Sequence, residues 1–423
     1  MTVPGLANAH SHAFHRALRG RTQCGGGSFW AWREHMYQVT ARLDPDSYHR
    51  LARATFAEMA LAGVTCVGEF HYLHHRGDGG RYDDPNAMGA ALLAAAAEAG
   101  IRITLLDTCY LAGGPGRPLE GVQARFGDGD ADGWAARVSE LARAAGLARA
   151  ADLRPAGGEA ESGQPAMGEA VPGAVLGAAI HSMRAVTPGQ AAVVAEWARG
   201  HGAPLHFHLS EQPAENDACR AAYGATPAQL LAGSGALGPR ATAVHATHLA
   251  DDDLRLLAAS GTGVCMCPTT ERDLADGIGP ARALRDAGAA ISLGSDSHAV
   301  IDLWEEARGL ELDERLASGV RGHWTPAGLL RAATAGGHTA LGWPGAGQIA
   351  PGAPADLVTV GLRSPRLAGA APGELLAAVV FAATAADVTD VVASGRHIVS
   401  GGAHRLIDVP AELDCAIRKV TAP

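Results

Sequence analysis

Eight short apolar runs, each followed by a longer stretch of helical character, constrain this chain more than any other feature. They are VPGLANA before His10, TCVGEF to Phe70, IRITLLDTCY to Tyr110, AVLGAAI before His181, APLHFHL around His208, ATAVHAT around His245, GTGVCMC to Cys267 and AAISLGS before Asp296. Continuous apolar runs of this length fit strands buried on both faces, and intervening segments such as 48–62, 86–100, 190–200 and 251–260 fit covering helices. Eight such units predict a closed (β/α)8 barrel, with a doubly wound open sheet as the competing fold. At 423 residues the chain exceeds the roughly 250 of a typical barrel, leaving room for an appendage.

The expected division is a barrel over 1–348 and a C-terminal β appendage and tail over 349–423. The appendage reading rests on GAPADLVTVGL, AAVVFAATAADVTDVVASG and RHIVSGG, short strand-like stretches between Gly and Pro turns. Segment 151–173, rich in Gly, Pro and Glu, is expected to be a flexible surface loop.

Composition narrows the function. The hydrophobic share of 47% supports a large core, and the net charge of -10 offers no basic field for nucleic acid or an anionic membrane. Seven scattered cysteines and no signal-like start point to a reduced, cytoplasmic setting and a small-molecule partner. The one lysine is Lys419, near the C-terminus. A P-loop, a pyridoxal Schiff base and a lysine-bridged pair of metals are therefore excluded.

The chemistry gathers at the strand ends. In His10-Ser11-His12 the two imidazoles alternate on a strand, so both can reach one ion. His208, His245 and Asp296 end later strands, and in a (β/α)8 barrel the C-terminal strand ends form one rim. Histidines simply packed in polar turns would have no reason to recur there. The expected ligands are His10, His12, His208 and Asp296, holding one divalent ion, with zinc the first choice for such N and O donors. Asp296 can also accept a water proton. Glu211, three residues beyond His208, is the expected proton shuttle, its other reading being a helix cap. His245 is preferred to His248 as the polar partner of the attacked group, and Cys265 and Cys267 are read as packing.

These residues, in this order, resemble the amidohydrolase superfamily, and run four ends in His181 where two-metal members carry a lysine. The motifs NAHSHAFHRALRG, FWAWREHMY, HSMRAVTP, HLSEQPAEN, VHATHL, CPTTERDLADG and GSDSHAVIDLWEEAR are similar to the formimidoylglutamate deiminases of bacterial histidine degradation. That resemblance implies hydrolytic deamination of N-formimidoyl-L-glutamate to N-formyl-L-glutamate and ammonia. It also implies substrate contacts from His15, Arg33, Tyr110, His181 and Arg184. Physical chemistry supports the arginines, since a dicarboxylate needs fixed cations. Position 15 departs from the family pattern, being His where Gln is expected.

Family members also carry several dozen residues before strand one that supply half of a β sandwich. Either this start is truncated or the C-terminal strands manage alone, as an incomplete sandwich with exposed edges. A homodimer is an allowed assembly. The alternative activity is one-metal deamination of a purine, pterin or related heterocycle; the alternative class is a non-catalytic metal-binding barrel.

Overall fold

The computed structural model describes residues 1–23, 29–144 and 173–422. Of the expected surface loop over 151–173, all but Gly173 lies outside the described residues. Strand β1 (Thr2–Pro4) precedes β2 (Leu6–Ser11), β3 (Val64–His71), β4 (Arg102–Cys109), β5 (Ala174–Ile180), β6 (Leu205–Leu209), β7 (Ala241–His245), β8 (Gly263–Met266) and β9 (Ile291–Leu293). Strands β2 to β9 pair in sequence order, all parallel, as one eight-stranded sheet.

The sheet closes on itself just past β9. Ser11 and Asp296 form a parallel bridge, and the Asp296 amide donates to the His10 carbonyl at 3.1 Å. Gly294 allows this approach: a Cβ there would sit 2.7 Å from the His10 side chain and 2.8 Å from its carbonyl. Asn8 reinforces the seam by donating to Ser295 Oγ at 2.7 Å and accepting from the Ser295 amide at 2.9 Å. Each of the eight apolar runs contains one of these strands, which makes the chain a (β/α)8 barrel, although Val3 and Pro4 of the first run lie in β1, outside the barrel sheet.

Local sequence explains the helices. In LDPDS, Asp44 accepts from the Ser47 amide at 2.7 Å and Pro45 occupies the first turn of Pro45–Leu61. In VTPGQ, Thr187 does the same for Pro188–His201, which ends at Gly202 with φ 62°. The barrel interior is filled by Ala7, Cys66, Val175, Val244, Cys265 and Cys267 with Leu341 and Trp343. Both Cys265 and Cys267 are thus packed in the core.

The appendage is a single five-stranded antiparallel sheet in the order β1, β10 (Leu357–Val360), β11 (Val388–Ala393), β12 (Arg396–Ser400), β13 (Ala403–His404). Its C-terminal strands do not stand alone. Thr2 pairs with Thr359 and Pro4 with Leu357, so residues 2–4 cover one edge of β10. Arg102 in β4 ties this sheet to the barrel through buried bonds to Asp356 Oδ1 at 3.2 Å and Ser394 Oγ at 3.1 Å. Among the described residues, no helix is long and apolar enough to cross a membrane.

Candidate active site

Strand geometry brings the predicted donors together at the C-terminal rim. His10 and His12 project from the end of β2, His208 from β6, and Asp296 follows β9. Asp296 Oδ1 lies 3.3 Å from His10 Nε2 and 3.4 Å from His12 Nε2. His10 Nε2 lies 3.1 Å from His208 Nε2, and all four side chains are buried.

The tautomers follow from the outer bonds. His12 Nδ1 donates to the Phe70 carbonyl and His208 Nδ1 to the His181 carbonyl, each at 2.9 Å. Each Nε2 therefore turns a lone pair toward the cluster centre. Burial, the largest influence, holds the His12 pKa down at about 3, with His10 adding to it. Burial likewise lowers His10 and His208, so the imidazoles are neutral. Burial alone would raise Asp296, but the hydrogen bond and charge of His10, with His245 and His12, drive it well below the carboxylate range. Neutral imidazoles and a carboxylate converging in a buried space form a donor set that fits one divalent ion.

A second cluster, His71, His74 and Asp107, has ligand-like spacing. Its carboxylate is committed elsewhere: Arg137 donates to both Asp107 oxygens at 2.7 and 2.9 Å, and Trp134 Nε1 at 3.0 Å. It is a buried ion-pair network rather than a metal centre.

Around the ion cluster, β-strand ends depart from ordinary backbone. Ser210, His245, Asp296 and His298 all have φ between 37° and 67°. Such conformations in non-glycine residues cost roughly 1–3 kcal/mol each and are retained where side chains must be aimed. His245 is aimed among three carboxylates: its Nε2 lies 3.7 Å from Asp296 Oδ2 and 3.9 Å from Glu211 Oε1, and its Nδ1 3.5 Å from Glu271 Oε1. Burial would lower its pKa, but Glu211, Glu271 and Asp296 together raise it well above the usual value. Glu211 shifts upward, first through burial, with Asp296 and Glu271 adding and His245 and Arg184 opposing. His248 points elsewhere, with Nε2 bonded to the Asp276 carbonyl at 2.8 Å.

A narrow cavity of about 60 Å3 opens from this cluster. His12, His208, Glu211, His245 and Asp296 line one end, and His15, Arg33, Tyr110, His181 and Arg184 line the remainder. His181 connects the two ends, its ring 5.1 Å from that of His208 and 4.3 Å from that of Tyr110. Arg184 is half-buried; desolvation pulls its pKa down, but Glu215 and Glu211 raise it, so the guanidinium keeps its charge. His15 packs 4.5 Å from the His12 ring and reaches the Tyr72 hydroxyl at 3.4 Å.

Several residues here escaped sequence reasoning. Trp32, Met36 and Tyr37 lie beside the expected Arg33 on one face of helix Phe29–Thr40 and line the cavity; their i, i+4, i+5 spacing was the available signal. Glu69 clamps the His10-Ser11-His12 segment, accepting from Ser11 Oγ and the Ala13 amide at 2.7 Å each. Ser11 Oγ also meets His298 Nε2 at 3.1 Å. Glu69 had no local signal, because its partners come from other segments, and Glu271, which also accepts from the nearby Cys267 amide at 2.9 Å, gave no local sign of its contact with His245.

Known proteins converge on the same architecture. The model of the amidohydrolase family matches residues 1–398. A formimidoylglutamate deiminase from Pseudomonas aeruginosa is 38% identical over 95% of this chain and 85% of its own length. An 8-oxoguanine deaminase from the same organism is 30% identical over 98% of this chain and 84% of its own. The crystal structure of an amidohydrolase from Brucella melitensis superposes with a TM-score of 0.86 at 32% identity, covering 100% of this chain and 90% of that one. An adenosine deaminase from Xanthomonas campestris with bound zinc gives 0.81 at 25% identity, covering 99% and 84%. With a family match running from the first residue through the barrel into the appendage sheet, this chain belongs to the amidohydrolase family.

Proposed function

We propose that the chain hydrolyses N-formimidoyl-L-glutamate to N-formyl-L-glutamate and ammonia, in the cytoplasmic degradation of histidine. The observation that carries this reading is a single cavity with a metal-binding cluster at one end and two arginines, Arg33 and Arg184, in its walls. The 38% identity to the Pseudomonas deiminase supports it.

One divalent ion, zinc, would be held by His10, His12, His208 and Asp296. When bound, it supplies Lewis acidity that makes water a competent nucleophile near neutral pH. The protein does the rest. Arg184 binds one substrate carboxylate in bidentate fashion, and Arg33 with Tyr110 receives the other. His15 and His181 line the path between, fixing the formimidoyl carbon beside the cluster. His245, held cationic by its carboxylates, faces the polar group that develops charge at that carbon.

Water adds to the formimidoyl carbon, giving a tetrahedral centre that bears one oxygen and two nitrogens. Asp296 accepts the water proton. Glu211, buried and shifted toward its protonated form, delivers a proton to the terminal nitrogen. The bond from carbon to that nitrogen breaks, ammonia leaves, the hydroxyl proton passes to the Glu211 carboxylate, and the carbon-oxygen double bond of the formyl group forms; the proton held by Asp296 then passes to ammonia or solvent.

The 8-oxoguanine deaminase relative favours a second reading, deamination of a heterocycle. A purine base carries no carboxylate for Arg33 and Arg184, which weighs against it. Product analysis separates the possibilities. Metal-loaded enzyme with N-formimidoyl-L-glutamate should yield N-formylglutamate and ammonia; glutamate with formamide refutes the deiminase assignment. No reaction beside rapid heterocycle deamination establishes the second reading.

A further inference from the structure

The wall of the cavity remote from the ion cluster contains a hydrogen-bond relay that fixes where two phenolic protons go. Gln123 begins it. Its Oε1 accepts from the Glu120 amide at 3.2 Å, and since a backbone N–H can only donate, this bond orients the side-chain amide. Gly113 makes room for that oxygen: a Cβ there would lie 2.8 Å from Gln123 Oε1. The Gln123 Nε2 is thereby turned toward two tyrosines, donating to Tyr37 Oη at 2.9 Å and to Tyr110 Oη at 3.5 Å.

Both phenolic oxygens are acceptors in this relay, so their protons cannot point back at Gln123. Even if one hydroxyl donates to the other, one proton remains for the cavity. The surrounding groups are also donors: Arg33 lies with its guanidinium carbon 5.5 Å from the centre of the Tyr37 ring. Burial, then the neighbouring Tyr37, raises the Tyr110 pKa, so its hydroxyl stays protonated as a donor. The carboxylates among the described lining residues, Glu211 and Asp296, stand at the ion end. A wall made of phenol and guanidinium donors calls for an anion with several lone pairs.

We infer that Tyr37, oriented by Gln123, is a specificity-determining residue that donates its phenolic proton to the substrate carboxylate not held by Arg184, and so makes the site select two carboxylates over one. This deepens the proposed deiminase reading and rests on it for the identity of the substrate. The anion pocket itself can be tested apart from turnover.

The experiment compares wild type with Tyr37→Phe on N-formimidoyl-L-glutamate, N-formimidoyl-4-aminobutyrate and N-formimidoyl-L-glutamine, the last two lacking one or other carboxylate. Calorimetric binding of glutarate, which cannot react, runs in parallel. Losing one charge-assisted hydrogen bond should raise KM for the dicarboxylate about tenfold or more, with kcat moving far less. Glutarate should weaken by a similar factor. The KM penalty should vanish for whichever analogue already lacks the carboxylate that Tyr37 binds. Gln123→Glu, which turns the relay's donor into an acceptor and draws the phenolic protons away from the cavity, should reproduce the loss in a protein that still melts cooperatively.

Equal penalties on all three substrates would mean lost packing and overturn the inference, as would unchanged KM and glutarate affinity in Tyr37→Phe. If wild type binds glutarate in a Tyr37-dependent way but releases no ammonia from formimidoylglutamate, the reaction is wrong and the pocket stands. Failure of wild type to bind glutarate overturns the pocket.

Discussion

Replacing Glu211 with Gln changes one proton and little else. The amide has the same shape, so the buried site and the His10, His12, His208 and Asp296 cluster should persist. What disappears is the group proposed to carry a proton to the leaving nitrogen. General acid-base groups contribute about two to four decades of rate, which corresponds to roughly 2.7–5.4 kcal/mol in the barrier. The upper part of that range is expected here, because the next carboxylate oxygens, Asp296 Oδ1 and Oδ2, already face His10, His12 and His245. KM should move much less, since the arginines proposed to grip the carboxylates are untouched. The assay is ammonia release under saturating substrate, with metal content measured on the same sample by plasma mass spectrometry. Turnover within threefold of wild type at full metal occupancy would refute the proton-shuttle role and return Glu211 to helix capping. Lost metal would refute it differently, by placing Glu211 among the ligands.

His208→Ala should leave the metal content well below stoichiometric, because no other imidazole on β6 faces the cluster: His206 Nε2 is bonded to the Ala340 carbonyl at 2.9 Å. Full occupancy in that variant would discard the ligand set. Asp387 should give the appendage an acid-labile component. Burial alone would raise its pKa, but hydrogen bonds from Arg366 and the Thr384 amide outweigh it and bring it to about 2, against 3.8 ordinarily. A folded value below the unfolded one means the stabilisation is present above about pH 4 and is lost as pH falls toward about 2. Acid unfolding of Asp387→Asn should therefore be flatter than wild type across that window, and parallel curves would remove the group from the account.

The barrel was legible because each of its strands is buried on both faces and therefore reads as an unbroken apolar run, with AAISLGS shrinking to the three residues Ile291–Leu293. Donors such as His10, His12, His208 and Asp296 were legible because their place on a strand end sets their destination. The strand Thr2–Pro4 was not, since three residues carry no period and its partner lies at the far end of the chain. Glu271 and Glu69 stayed hidden for a related reason. A lone glutamate in CPTTERD or VGEF looks like any surface carboxylate until tertiary packing places it on His245 or Ser11. Gln123 is the extreme case, for its orientation depends on a local amide and its effect on a helix 86 residues earlier.

The seam where β2 meets the residues after β9 joins positions 287 apart, and it is built from the segments that carry the proposed ligands themselves. This sets an order of events during synthesis. A nascent chain can pair β2 with β3 and β3 with β4 as they emerge, but the carboxylate of Asp296 reaches His10 and His12 only when the final strand is out of the ribosome. High-affinity loading of an ion by these residues would therefore wait for nearly complete barrel closure, a slow contact of long sequence separation. An ion held there would act as a clasp across the first and last staves, and its removal should loosen the seam before it loosens the sheet.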